Sequence, residues 1–329
     1  MSYARYYFVL ISAMLCALIG GTAHAVQRTH VSAAFGADAN TSTNCSATAP
    51  CRFFQAAIGV TDTNGEVVVL DSGGYGAVTI THSVSLIAPT GVYAGISVFP
   101  GATGVTIATA GVNVVLRGIT INGQGGNTGI VMSNGTRLTV ENCVIANLTG
   151  AGINVDTAAI VRVTDTTIRD NGQGMYLQNG ARATVTRATI SGTGTGILVY
   201  GLLPSLTTAD IADSTLDGND YGVAANSQSA SATVQVSVRD SRLIGHGQAA
   251  TQALSNTGTV TLSISNSIIS NNYKGIEAKY LGSKVWATGN TISANSVAFS
   301  TTLTSIESAG NNAVRNNGTD GTVTVIATK

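Results

Sequence analysis

Charged and amide side chains recur at one position of a repeated pattern, three residues before a branched apolar residue. These side chains are Asn142, Asp165, Arg187, Asp213, Asp240 and Asn266. If the repeats stack, Asp213 and Asp240 lie one repeat apart and Arg187 lies one repeat further along. Neighbouring carboxylates raise a pKa or recruit a cation, and calcium prefers oxygen ligands. The pattern predicts either a calcium site at Asp213 and Asp240 or a solvated turn in which Arg187 neutralises Asp165 and Asp213.

Two tyrosines mark a second candidate site. In the stretch that follows a recurring Gly-Ile pair, the residues two and four positions after the glycine point outward if the stretch is a strand. On successive repeats they include Asp156, Tyr176, Gln178, Leu198, Tyr200 and Asn226. Aromatic rings pack on the apolar C–H faces of sugars, and amides and carboxylates bind sugar hydroxyls. These six residues are therefore predicted to line a ligand-binding face for polysaccharide.

A repeat of about 22 to 27 residues between Ile121 and Val314 carries both candidate sites. One anchor of the repeat is a small or polar pair followed by a branched apolar residue such as Ile145, and the other is a Gly-Ile pair. Upstream of the first anchor, apolar and polar residues alternate, as at Leu138 and Val140, which is typical of a half-buried strand. Each repeat thus predicts three short strands separated by turns. Stacked repeats of this kind build a parallel β-helix.

A column of mostly amide residues follows the branched anchor by three positions. Its members are Asn171, Thr193, Asn219, His246, Asn272, Asn295 and Asn317. Stacked amides satisfy one another, and asparagine tolerates a left-handed backbone. The column predicts an asparagine ladder at a turn.

The repeated Asn-x-x-Gly-Ile pattern resembles the right-handed β-helix repeat proteins of the pectin lyase-like superfamily over about residues 65–320. The resemblance implies an all-β fold, a single-domain right-handed parallel β-helix with three short strands per coil and a short N-terminal capping helix. The superfamily includes lyases, hydrolases, epimerases, esterases and adhesins, so the resemblance implies a fold more than an activity.

Two enzyme groups of this superfamily suggest roles for particular residues. Its pectate lyases use aspartate-bound calcium and an arginine base, which would make Asp165, Arg187, Asp213 and Asp240 catalytic candidates. The segment Gly245-His246-Gly247 is similar to a polygalacturonase motif. The N-T-D, paired D-D and R-I-K motifs of those hydrolases are missing, however, and inverting hydrolysis needs separated carboxylates. We therefore expect His246 to be a ladder residue.

The ends of the chain predict export and a cap. A basic residue, a short apolar run and a Thr-Ala-His-Ala sequence identify residues 1–25 as a signal peptide. Residues 26–64 are expected to form an N-terminal cap with a disulfide between Cys45 and Cys51 and a short helix, and residues 65–329 the β-helix. Cys143 is expected to be a buried, unreactive thiol. The protein is therefore predicted to be exported, to the periplasm or the extracellular medium.

Charge limits the partners. Removing residues 1–25 takes Arg5 from the 16 basic residues, and 15 − 16 leaves a net charge of −1. This balance argues against nucleic acid or an anionic membrane as the main partner. The apolar run near the N-terminus is too short to span a membrane. We do not predict the oligomeric state.

Three functions are compatible with the sequence. We favour a noncatalytic β-helix that presents an extended face to polysaccharide or another surface component, because no catalytic motif is complete. The first alternative is a polysaccharide-active enzyme, most concretely a calcium-assisted lyase and otherwise a glycoside hydrolase. The second alternative is a structural or adhesive solenoid. Calcium is the one cofactor that the sequence suggests.

Overall fold

The computed structural model describes residues 26–327, and the predicted signal peptide lies outside them. The described chain is an all-β solenoid of about 10 turns built from three parallel sheets. This confirms the predicted right-handed parallel β-helix. We name the sheets A, B and C in the order in which the chain passes through them within one coil.

Within the described residues, thirteen strands form sheet A, eleven form sheet B and ten form sheet C. The strands of sheet A are Val26–Val31, Thr61–Val69, Val84–Ile87, Asn113–Arg117, Arg137–Glu141, Ile160–Thr164, Arg182–Thr186, Leu206–Ala212, Thr233–Arg239, Thr259–Ser265, Ser283–Thr288, Ile306–Ser308 and Thr324–Val325. Those of sheet B are Gly73–Gly74, Ala94–Val98, Ile119–Gly123, Val144–Ala146, Thr167–Arg169, Thr189–Ser191, Thr215–Asp217, Arg242–Ile244, Ile268–Ser270, Thr291–Ser293 and Ala313–Arg315. Those of sheet C are Val78–Ile80, Thr103–Ile107, Thr128–Met132, Ala151–Asp156, Gln173–Gln178, Thr195–Gly201, Tyr221–Ser227, Ala249–Ser255, Lys274–Lys279 and Val297–Thr302.

Strands of successive coils pair in parallel, so equivalent residues stand in columns. Ile145, Ile168 and Ile190 are paired in this way in sheet B, and all three are fully buried. The branched anchor of the repeat is therefore a column of the core. In sheet C the repeated glycine allows adjacent backbones to approach closely: a Cβ atom on Gly174 would lie 2.3 Å from the carbonyl oxygen of Gly196.

A single left-handed residue makes the bend from sheet A to sheet B. The φ angle is between 50° and 52° at Asn142, Asp165, Arg187, Asp213, Asp240 and Asn266. Asparagine and aspartate tolerate this conformation better than most residues. The acidic column found in the sequence is thus the column of bend residues, and backbone geometry explains most of its composition.

The asparagine ladder lies at the bend from sheet B to sheet C. The Thr193 N–H donates to Asn219 Oδ1 at 2.9 Å, and the Asn272 N–H donates to Asn295 Oδ1 at 3.0 Å. The left-handed residue is the one before the ladder position, such as Asn271 with a φ of 60°. The ladder residue follows it, and its side chain turns inward to reach the neighbouring coil.

The N-terminal segment closes the first coil. The predicted disulfide between Cys45 and Cys51 is present, and the predicted helix spans Phe54–Ile58 after a 3-10 helix at Asp38–Thr43. The segment also supplies the first strand of sheet A, Val26–Val31, which pairs with Thr61–Val69. Within residues 26–327, no helix is long and apolar enough to cross a membrane.

Candidate functional site

The outer face of sheet C brings the six predicted ligand-binding residues together. Asp156, Gln178, Tyr200 and Asn226 occupy one column on four successive strands. Tyr176 and Leu198 are paired in the column two residues earlier. Strands in a sheet lie about 4.8 Å apart, so the longer column extends over about 14 Å.

The two tyrosines form a single aromatic surface on this face. Their ring centroids are 6.0 Å apart and the ring planes are inclined at 61°, an edge-to-face arrangement. The Tyr176 hydroxyl and Gln178 Oε1 are 2.9 Å apart, and the hydroxyl donates. Burial raises the pKa of Tyr176, with smaller contributions from Tyr200 and Asp156. The phenol therefore stays protonated and can act as a hydrogen-bond donor.

Amide groups around the tyrosines have unused hydrogen-bonding capacity. The Oδ1 atoms of Asn154 and Asn226 are both buried and have no hydrogen-bond partner within the described chain. Asp156 accepts a hydrogen bond from Asn179. A buried acceptor without a partner costs about 1–3 kcal/mol.

The column of bend residues lies on a different edge, between sheets A and B. Arg187 binds Asp165 through two hydrogen bonds of 2.7 Å, and this contact lowers the pKa of the Asp165 carboxyl. The Asp240 carboxylate lies 3.5 Å from Arg239, and Asp213 is exposed. Within residues 26–327 there is no group of three or more His, Cys, Asp or Glu side chains that could hold a metal ion. Calcium binding at Asp213 and Asp240 stays a prediction, and we derive no catalytic step from it.

His246 occupies the ladder, as the sequence predicts. It is 1% exposed, and its backbone N–H donates to Asn272 Oδ1 at 2.9 Å. Its Nδ1 atom accepts from the Asn219 N–H at 3.2 Å. Cys143 is likewise a buried free thiol, and burial raises its pKa to about 11. Neither group is available at the surface.

Comparison with known proteins identifies the architecture. Residues 56–205 match the family described as the right handed beta helix region. The chain is a right-handed parallel β-helix repeat protein. Solved structures with the same fold include a pectate lyase, Pel9A. No curated protein matches its sequence significantly.

Solved structures with the same fold are distant in sequence from this β-helix protein. A complex of XylC with xylose has a TM-score of 0.62 at 9% identity, covering 83% of this chain and 69% of the other. The A-module of the mannuronan C-5 epimerase AlgE6 from Azotobacter vinelandii has a TM-score of 0.55 at 16% identity, covering 78% and 82%. The GH136 lacto-N-biosidase from Eubacterium ramulus has a TM-score of 0.52 at 11% identity, covering 92% and 67%. At these identities the likeness establishes the fold alone.

The β-helix protein also has an ion cluster on sheet C that the sequence analysis did not single out. Glu277 belongs to the same column as Tyr176 and Leu198 and is 2% exposed. Its carboxylate is 2.5 Å from Lys274 and 3.3 Å from Lys279. Burial alone would raise the pKa of Glu277, but hydrogen bonds from Lys274 and Gln252 and the two lysine charges lower it. The sequence signal for this cluster was a glutamate between two lysines, Lys274, Glu277 and Lys279, within one predicted strand.

Proposed function

We propose that this β-helix protein is exported and binds polysaccharide through the outer face of sheet C. The tyrosine pair carries the proposal: Tyr176 and Tyr200 present ring surface beside the amide and carboxylate groups of Gln178, Asp156 and Asn226. Sugars combine apolar C–H faces with hydroxyl groups, and this face offers a complement to both.

A further observation supports the proposal. The compared structures include one bound to xylose and others named for enzymes that act on saccharides. For export, the support is the sequence of residues 1–25 together with the disulfide between Cys45 and Cys51. We assign no catalytic residues.

The test is retention of the protein on immobilised neutral and acidic polysaccharides. The double variant Tyr176→Ala, Tyr200→Ala is expected to bind neutral polysaccharide roughly tenfold more weakly, because it loses about 1–2 kcal/mol of aromatic contact. Tyr93→Ala is the matched control, since Tyr93 is 53% exposed and precedes a strand of sheet B. Equal retention of the double variant and the wild type on every polysaccharide would refute the proposal.

The same mixtures decide between binding and catalysis. We expect the protein to release no new reducing ends from a bound polysaccharide, with or without calcium. Calcium-dependent release would favour the lyase alternative and direct attention to Asp165, Arg187, Asp213 and Asp240. Absence of both binding and release across a broad panel would leave the structural or adhesive solenoid.

A further inference from the structure

Three arginines on the outer face of sheet A have no anionic partner in the protein. Arg137, Arg162 and Arg182 lie on successive strands and are all exposed. None of them forms an ion pair or a hydrogen bond with another side chain of residues 26–327. Arg137 and Arg182 are in the same column, two strands or about 10 Å apart, and Arg162 lies two residues further along the strand between them. The three side chains therefore emerge from one small area of the sheet.

Carboxylates on these strands of sheet A and at the bends beside them are already engaged. Each is bound by a different arginine, in the pairs Glu141 with Arg117 at 2.8 Å, Asp165 with Arg187 at 2.7 Å and Asp210 with Arg239 at 3.6 Å. The Asp210 carboxylate also accepts a hydrogen bond from Ser237 at 2.8 Å. The arginine cluster thus leaves a local positive charge on a protein whose net charge is 0 over the full sequence.

A groove continues from the cluster along the axis of the solenoid. It has a volume of about 750 Å³ and includes Ile160 and Arg182 at its start. Beyond them it is lined by the hydroxyl and amide side chains of Thr184, Thr208, Gln235, Ser237, Thr261 and Ser263. The Asp210 carboxylate also lines it, and that group is engaged by Arg239 and Ser237. None of the described residues lining it is aromatic. The groove therefore offers hydrogen-bonding groups, with its unpaired cation at one end.

We propose that the outer face of sheet A binds an acidic polysaccharide. Its negative groups contact Arg137, Arg162 and Arg182, and its hydroxyl groups occupy the adjoining groove. The planar guanidinium group pairs with carboxylate or sulfate through two parallel hydrogen bonds. This site lies on a different sheet from the tyrosine pair, so it goes beyond the function proposed above.

Two other polyanions fit the surface less well. Single-stranded nucleic acid is held by aromatic side chains that stack on its bases, and the described groove has none. An anionic membrane contacts a protein through exposed basic and apolar side chains at one level, whereas the hydroxyl and amide groups here line a recess. A flexible chain with both hydroxyl groups and regularly spaced negative groups uses the cluster and the groove together.

The test compares ligands that share one backbone: dextran, carboxymethyl-dextran and dextran sulfate. The triple variant Arg137→Gln, Arg162→Gln, Arg182→Gln is expected to bind at least one of the two acidic dextrans roughly tenfold more weakly than the wild type at low ionic strength. Affinity of the wild type is expected to fall as salt is added. Arg242→Gln is the matched control, because Arg242 is an exposed arginine without an ion pair on sheet B.

Three outcomes would overturn the proposal. The triple variant could bind both acidic dextrans as tightly as the wild type, or Arg242→Gln could lose as much affinity as the triple variant. The wild type could also bind phosphatidylserine vesicles at least as tightly as acidic dextran, with that binding abolished in the triple variant. If the triple variant does not fold, Arg182→Gln alone is expected to weaken binding roughly threefold. The double tyrosine variant is expected to keep its affinity for acidic dextran, which separates failure of this site from failure of the tyrosine face.

Discussion

His246 makes the stability of the protein depend on pH in a way that one substitution removes. Its Nδ1 atom accepts the Asn219 N–H at 3.2 Å, which requires an unprotonated Nδ1, and its Nε2 atom is buried without a partner in the described chain. Burial lowers the pKa of the ring to about 4, although the Asn219 carbonyl oxygen, 3.3 Å from Nδ1, and the charge of Asp217 favour the protonated ring and oppose this effect. The folded protein therefore holds His246 in its neutral form.

The magnitude follows from the difference between the folded and unfolded pKa values. An unfolded histidine has a pKa of about 6.5, so a falling pH protonates the unfolded chain first. The contribution of neutral His246 is fully present above pH 6.5 and is lost as the pH falls toward the folded value. Between pH 8 and pH 5 this linkage lowers the free energy of unfolding by about 2 kcal/mol.

The substitution His246→Asn tests this reasoning. Asparagine is the residue at the neighbouring ladder positions Asn219 and Asn272, and its Oδ1 atom can accept the same N–H without titrating. Urea unfolding of both proteins at pH 5, 6, 7 and 8 gives the two free energies at each pH. We expect the wild type to lose about 2 kcal/mol more than the variant between pH 8 and pH 5. All other titrating groups are common to both proteins, so parallel curves would refute the assignment.

Two further predictions concern stability. Thr251→Val is expected to raise the free energy of unfolding by about 1 kcal/mol, because Thr251 Oγ1 is buried without a hydrogen-bond partner in the described chain and valine has nearly the same shape. A lower free energy of unfolding for the variant in urea titrations would contradict this. Replacing Cys45 and Cys51 by serine is expected to lower the free energy of unfolding by about 2 kcal/mol, because their disulfide closes a loop with a sequence separation of 6. Equal thermal stability of this variant and the wild type would show that the cap does not depend on the disulfide.

Local pattern was sufficient for the fold. The alternation at Leu138 and Val140 and the recurrence of the branched anchor reflect contacts between one coil and the next, which repeat at a nearly constant chain separation. In a periodic sequence the residues that become tertiary neighbours are therefore one repeat apart. For this reason the sequence alone predicts the columns of the ladder and of sheet C. The disulfide between Cys45 and Cys51 was equally accessible, since the two cysteines are close in sequence.

The residue types in the bend column did not reveal whether they serve the backbone or bind a ligand. Asp213 and Asp240 looked like ligands because of their charge, yet both have a φ of 51° at a bend, where the backbone selects aspartate and asparagine whether or not a cation binds. The sequence cannot separate these two causes, because they favour the same residues.

Only the tertiary structure shows which charged side chains form ion pairs with one another. Arg137, Arg162 and Arg182 lie on neighbouring strands, but whether a carboxylate reaches each guanidinium depends on rotamers and on which competing arginine is nearer. The same holds for Glu277, whose burial between Lys274 and Lys279 depends on packing across the outer surface of sheet C. Periodicity determines which residues share a column, whereas charge pairing and burial within that column depend on three-dimensional distances of a few ångströms.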